Sequence, residues 1–142
     1  MDLFYEREQY MMLYRSSHLF LISTLYAFIK EHYMFSFVNG CVFLTSINYW
    51  RMPKKSWRRT LDMIVVNSAI MYKNITIYNS SLHNPYNVNL YYLIFSTGSI
   101  SYPISIYYYN QKYYWTAVYL HMLLHIMANV ANVVLYWGCV CI

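Results

Sequence analysis

A stretch without Lys, Arg, Asp or Glu runs from Tyr113 to Trp137, and it limits what this chain can fold into more than any other feature. As an α-helix its 25 residues would be about 37 Å long, enough to cross the ~30 Å hydrocarbon layer of a bilayer with some tilt. Near its middle lie His121 and His125, whose four-residue spacing places them one turn apart on the same helix face. Because a polar side chain inside a membrane span usually points into the helix bundle, this pair is a candidate functional site.

The composition of the whole chain favours membrane insertion. Of its 142 residues, 59% are hydrophobic and only 11% are charged, whereas about 25% of the residues of a typical soluble domain are charged. The net charge is +5, but the basic residues cluster beside apolar segments, and this argues against nucleic acid as a partner. We therefore expect an integral membrane protein whose partners are membrane lipids.

Four further apolar segments precede the uncharged stretch. The predicted spans cover residues 11–29, 33–50, 61–78, 88–109 and 113–137. The predicted fold class is therefore all-α, a single polytopic transmembrane helical bundle over residues 1–142 with about five spans. The first span reaches full length only if Arg15 extends its side chain to the interface. The main alternative has four spans, with residues 10–29 lying in the interface.

The orientation follows from the loop between the second and third spans. Five of the ten basic residues lie between Arg51 and Arg59, and such density in a short loop marks the cytosolic side. The N-terminus and the loop 51–60 are therefore predicted to be cytosolic, and the C-terminus lies on the opposite side. Lys73 is expected to reach the far interface with its long side chain.

Counting residues from the cytosolic side places five polar side chains in the same half of the bundle. Ser46 lies roughly 6 Å into the second span, and Asp62 lies one residue into the third. His18 is two residues into the first span, and His121 and His125 are roughly 12 to 18 Å deep in the last.

Three imidazoles with an acid nearby are what a catalytic zinc ion needs, namely neutral nitrogen ligands, an open position for water and a carboxylate to accept its proton. His121 and His125 are predicted as two of the ligands, although histidines that only hydrogen-bond neighbouring helices are an equal alternative. Ser46 is otherwise a packing residue, and Asp62 is otherwise a first-turn acid that favours the helix dipole.

The order of these residues resembles the CREST superfamily of membrane hydrolases, which includes the alkaline ceramidases, the adiponectin/progestin receptors and the Per1-like proteins. The resemblance implies that His121 and His125 bind zinc, that Asp62 acts as general base and that Ser46 assists a zinc-bound water in cleaving a lipid amide or ester. The family has a His four residues after the serine, where this chain has Trp50. His18 is therefore the expected third ligand. The family also has seven helices, against five here.

Two other functions stay open on the sequence alone. The chain is also interpreted as a small structural or accessory membrane protein, viral or organellar, without catalytic activity. A third interpretation is a haem-binding membrane electron carrier, which needs two histidines from different helices at one depth. His18 with His121 is the only pair that approaches this requirement.

Overall fold

Six α-helices make up the described part of the protein, a computed structural model that covers residues 5–79 and 84–138. They are α1 (Arg7–Ser17), α2 (Leu19–Ile29), α3 (Tyr33–Trp50), α4 (Trp57–Asn79), α5 (Pro85–Asn110) and α6 (Tyr114–Trp137). The all-α prediction is therefore confirmed for these residues.

Each predicted span corresponds to helical structure. The helix α3 has the bounds predicted for the second span, and α4, α5 and α6 differ from the prediction by a few residues at their ends. The first predicted span, residues 11–29, is divided into α1 and α2, which meet at His18. The polar turn predicted between the third and fourth spans lies partly outside the described residues.

Local sequence explains where several helices begin and end. The Asn84 side chain accepts a hydrogen bond from the Tyr86 N–H at 2.9 Å. Pro85 takes the first position of α5, where its missing N–H has no partner to lose. In the short turns after α2 and α5, Glu31 and Lys112 have positive φ angles of 62° and 67°. These left-handed residues end each helix and let the next one return alongside.

Contacts between the helix ends show that α3 and α6 run in opposite directions. The rings of Trp50, at the end of α3, and His121, near the start of α6, lie 5.0 Å apart. At the other end of the molecule, His32 precedes α3 and its ring is 6.4 Å from that of Tyr136, near the end of α6. We call the end with Trp50 the basic end, because the basic loop follows α3 there, and the other end the far end.

The helices pack unevenly. The closest pair is α5 with α6, where Gly98 allows the backbones to approach: a Cβ at this position would lie 2.7 Å from the Met127 Cβ. The helix α5 continues through Pro103. In contrast, α4 packs mainly against α3. This difference leaves room beside α4.

The interior holds polar side chains beside its apolar core, and many large apolar side chains are exposed. Within residues 5–79 and 84–138, thirteen buried residues are polar or charged, and they include Ser17, Ser23, Asn39, Lys73 and Asn132. The exposed surface includes Ile29, which is 74% exposed, Phe37 at 68% and Leu93 at 66%. A soluble protein rarely exposes apolar patches larger than a few hundred Å².

Of the described helices, one is long and apolar enough to cross a membrane by its own length and composition: Tyr114–Trp137, with a mean hydropathy of 1.6. This helix corresponds to the predicted last span. The other four predicted crossings stay a prediction.

Candidate functional site

A cavity of about 500 Å³ is lined mainly by residues of α3, α4, α5 and α6. The helix α4 lines it with residues spaced three or four apart, which therefore lie along one face. They include Arg59, Asp62, Val66, Ala69 and Lys73, and their neighbours Met63, Asn67 and Ile70 also line the cavity. From Asp62 to Lys73 this face extends about 16 Å along the helix axis.

Four of the five predicted site residues line this one cavity, namely Ser46, Asp62, His121 and His125. The helical period and the short loops therefore brought together residues that are 79 positions apart in the chain, from Ser46 to His125. Their role in catalysis or metal binding stays a prediction.

Asp62 is held by two hydroxyl groups of the neighbouring helix. The Ser46 hydroxyl donates to Asp62 Oδ1 at 2.8 Å, and the Thr45 hydroxyl donates to the same atom at 2.9 Å. Both donors lie near the end of α3, directly across the basic loop from Asp62. Hydrogen bonds to a carboxylate are roughly twice as strong as those between neutral groups, so this contact fixes the carboxylate in place.

The two histidines of α6 lie edge to face, with ring centroids 5.0 Å apart. Trp50 and Tyr102 pack against the His121 ring at 5.0 and 5.5 Å. The Ser16 hydroxyl lies 2.8 Å from His125 Nδ1, which ties α6 to the end of α1. Both imidazoles are therefore oriented by neighbours on other helices.

The Ser16 hydroxyl also bears on the protonation of His125. It donates to the Leu13 carbonyl at 3.0 Å. A hydroxyl has one hydrogen, so when the Leu13 carbonyl receives it, the Ser16 oxygen accepts from the His125 Nδ1–H and the Nε2 atom of that ring keeps its lone pair. The same tautomer is typical of histidines that bind metals through Nε2.

His18 does not join the other four residues. Its side chain is exposed, Nδ1 is 2.9 Å from the Tyr14 carbonyl, and the ring packs against Tyr14 and Phe43 at 4.8 and 5.8 Å. It is not among the residues that line the cavity. The structure therefore brings His18 neither to the predicted zinc ligands nor opposite His121 as the haem interpretation requires.

The described residues do not complete the predicted donor set for zinc. No group of three His, Cys, Asp or Glu in residues 5–79 and 84–138 could hold a metal ion. The cavity offers the two imidazoles of α6 without a third protein ligand of this kind. The zinc site therefore stays a prediction.

Lys73 lies inside the bundle, which corrects the expectation that it reaches the far interface. It is only 6% exposed, and its Nζ donates to Asn132 Oδ1 at 2.7 Å. The reason is geometric: Lys73 follows Asp62 by eleven residues, about three helical turns, so both lie on the face of α4 that lines the cavity.

A hydrogen-bonded group of buried amides lies near Lys73. Asn39 donates to the Tyr136 hydroxyl at 2.6 Å and to the Ser23 hydroxyl at 3.4 Å. The Ser23 backbone N–H donates to Asn129 Oδ1 at 3.2 Å. These bonds join α2, α3 and α6 at the far end of the cavity.

Four residues of this region were not predicted as site residues from the sequence, namely Ser16, Thr45, Lys73 and Asn132. For two of them a signal is present in the sequence. Asn132 interrupts an uncharged apolar stretch, where a polar side chain usually points inward. Lys73 shares a helix face with Asp62. Ser16 and Thr45 are ordinary hydroxyl residues that nothing in the sequence distinguishes.

No family model, curated protein or solved structure matches this chain. The resemblance to the CREST superfamily accordingly stays a prediction.

Proposed function

We propose that this protein crosses a membrane five times and binds a lipid in the cavity between α3 and α6. One observation carries the proposal: the bundle has an apolar exterior and a cavity whose lining is polar at both ends. In water the apolar exterior would be unfavourable. In a bilayer the exterior contacts lipid chains and the polar side chains lie inside the bundle.

The helix lengths support the five crossings. The helices α3 to α6 have 18, 23, 26 and 24 residues, which correspond to roughly 27 to 39 Å and match the thickness of a bilayer core. The helices α1 and α2 together supply the remaining crossing. The orientation that we propose has the N-terminus and the basic loop in the cytosol.

The shape of the cavity supports a lipid as its occupant. Its middle is lined by apolar side chains such as Val42, Val66 and Leu124. Some lining residues are also exposed on the outside of the bundle, among them Met63 on α4 and Ile106 on α5. A lipid could therefore enter from the side, between α4 and α5, without passing through water.

The number of crossings is tested by labelling single cysteines in intact cells or sealed vesicles. In a variant without Cys41, Cys139 and Cys141, cysteine is introduced at Glu8 or Glu31. Five crossings place these two positions on opposite sides of the membrane, because α1 and α2 lie between them. If a reagent that cannot cross the membrane labels both from the same side, the four-span alternative is correct.

Lipid binding is tested by filling the cavity. Ala69 is buried and lines the cavity on α4, whereas Ile64 on the same helix is 58% exposed. We expect Ala69→Phe to abolish the capture of a photoactivatable single-chain lipid and Ile64→Phe to leave it unchanged. Equal capture by both variants would place the lipid on the outer surface and contradict the proposal.

Hydrolysis of a lipid amide or ester is a second candidate function. The observation that favours it is that Ser46, Asp62, His121 and His125 line the same cavity. Asp62 could accept a proton and Ser46 could orient a reacting group, since the two are already hydrogen-bonded. Because the described donor set is incomplete for zinc, we derive no step through a metal.

Metal analysis separates the two candidates. The purified protein is measured by elemental mass spectrometry beside a His121→Ala/His125→Ala variant. About one zinc ion per chain that is lost in the variant would support hydrolysis and identify the two imidazoles as ligands. A folded wild-type protein without metal would exclude the zinc hydrolase and leave the lipid-binding cavity.

A further inference from the structure

The cavity contains a buried lysine that has no acidic partner among the described residues. The Lys73 ammonium is buried, and the hydrogen bond that the structure gives it is to the neutral amide oxygen of Asn132. Asp62, on the same helix, lies about 16 Å away along the axis and accepts from Ser46 and Thr45. A buried charge is unfavourable unless it is paired.

We propose that Lys73 binds the acidic head group, a carboxylate or a phosphate, of a single-chain lipid in this cavity. The inference rests on the proposed function, because it requires a lipid to occupy the cavity. An anion placed against the ammonium would complete its hydrogen bonds and neutralise its charge.

The lining beside Lys73 suits such a molecule. The cavity face of α4 between Lys73 and Asp62 carries Ala69, Ile70 and Val66. The helix α6 lines the cavity with Ala128 and Leu124. These side chains form an apolar path that a hydrocarbon chain can follow away from the head group. The volume of about 500 Å³ is in the usual range for sites that enclose one small ligand, roughly 300 to 1,000 Å³.

Asn132 positions the ammonium for this contact. Its amide oxygen accepts one of the three hydrogens of the Lys73 Nζ, so two donors are left for an anion. At the basic end the cavity is lined by the Arg59 cation together with the Asp62 carboxylate, whereas at the far end Lys73 has no acidic side chain beside it among the described lining residues. The head group is therefore directed to the far end.

The test compares lipids that share one saturated chain but differ in their head groups. Saturable binding to the full-length protein in lipid nanodiscs is measured for the fatty acid, the lysophosphatidic acid and the neutral fatty alcohol. For Lys73→Met we expect the affinity for whichever acidic lipids bind the wild type to fall by at least about tenfold. Binding of the alcohol should not change. Comparing the two acids in the wild type tells a carboxylate from a phosphate.

Two further variants serve as a control and as an independent test of the role of Lys73. Lys55→Met removes an exposed positive charge from the basic loop and should bind all three lipids like the wild type. Asn132→Asp supplies Lys73 with an internal carboxylate, and it should weaken the acidic lipids without weakening the alcohol. This variant tests the proposal even if Lys73→Met does not fold.

The outcomes distinguish this inference from the proposed function. If wild-type protein binds the alcohol as tightly as both acids, or if Lys73→Met and Asn132→Asp bind the acids normally, the role of Lys73 is wrong and the lipid cavity stands. If none of the three lipids binds, the proposed function fails, and this inference fails with it.

Discussion

The two ends of the cavity hold their ionisable groups in different ways. At the basic end, Asp62 accepts from two hydroxyl groups of α3. At the far end, the structure gives Lys73 one bond to a neutral amide. Asp62 thus has two hydrogen-bond donors on one carboxylate oxygen, whereas an ammonium at Lys73 has two hydrogens beyond its bond to Asn132.

This difference indicates that the basic end contributes to stability and that the far end is suited to bind a ligand. A carboxylate that already accepts two hydrogen bonds gains little from a further molecule. A buried ammonium with two remaining hydrogens gains a great deal from an anion, because the alternative is an unpaired charge away from water. The comparison predicts that substitutions at the two ends will differ in size and in their response to acidic lipids.

The largest effect is expected at the far end, for Asn132→Leu. This change removes the hydrogen-bond acceptor of Lys73, and we expect the free energy of unfolding to fall by about 2 to 4 kcal/mol. The measurement is unfolding in mixed micelles without added lipid. Asn89, which is exposed on α5 and is not among the residues that line the cavity, provides the control: Asn89→Leu should change stability by less than about 0.5 kcal/mol.

Added acidic lipid should partly restore the stability of Asn132→Leu, because it offers Lys73 a new partner. The same lipid should stabilise the double variant Asn132→Leu/Lys73→Met much less. Equal stabilisation of both variants would contradict the proposal that acidic lipid acts through Lys73 at the far end.

At the basic end, the double change Thr45→Val/Ser46→Ala takes both donors from Asp62. We expect a loss of about 1 to 3 kcal/mol, measured in the same way and independent of acidic lipid. Thr97, an exposed residue on α5 that bonds only its own helix in the structure, serves for comparison, and Thr97→Val should be nearly neutral. A loss at the basic end that acidic lipid reverses would contradict the assignment of the head group to the far end.

A smaller effect is expected for Ser16→Ala, which removes the partner of His125 Nδ1. Interhelical hydrogen bonds in membranes contribute about 0.6 to 1.7 kcal/mol each, and the loss should lie in this range. Ser101→Ala is a suitable control, since that buried hydroxyl donates within its own helix. Equal losses for the two variants would mean that the contact between α1 and α6 adds nothing to stability.

The helical period predicted some of the site, and the rotation of the helices determined the rest. His121 and His125 had to share a face, and Ser46 and Asp62 had to meet across a short loop, so these placements followed from spacing alone. Counting residues from the cytosolic side predicted how deep His18 and Lys73 lie in the membrane. It did not predict the direction in which their side chains point. Positions 16 and 18 differ by about 200° around a helix, so Ser16 faces α6 and His18 faces outward.

The bounds of the helices were easier to predict than the orientation of their faces. Charged turns and uncharged segments alternate clearly along the chain, and the helix α3 occupies the segment that they indicated. Around α4, apolar and polar residues are mixed, so no face stands out as the buried one. For this reason Lys73 was expected at the interface, although its spacing from Asp62 places both on the cavity face.

The smallest expected effect concerns His32, at the turn before α3 on the far end, where its ring contacts Phe35 and Tyr136. Burial lowers the pKa of this imidazole, and Lys30 lowers it further, against an opposing hydrogen bond with the Tyr136 backbone. As the pH falls below about 6.5, the unfolded chain binds a proton at this position before the folded protein does, so stability decreases from that pH downward and is fully present above it. Between pH 7.5 and 5 we expect the melting temperature of the wild type to fall about 1 to 2 °C more than that of His32→Gln. Parallel changes of melting temperature with pH in the two proteins would show that protonation of His32 does not affect stability.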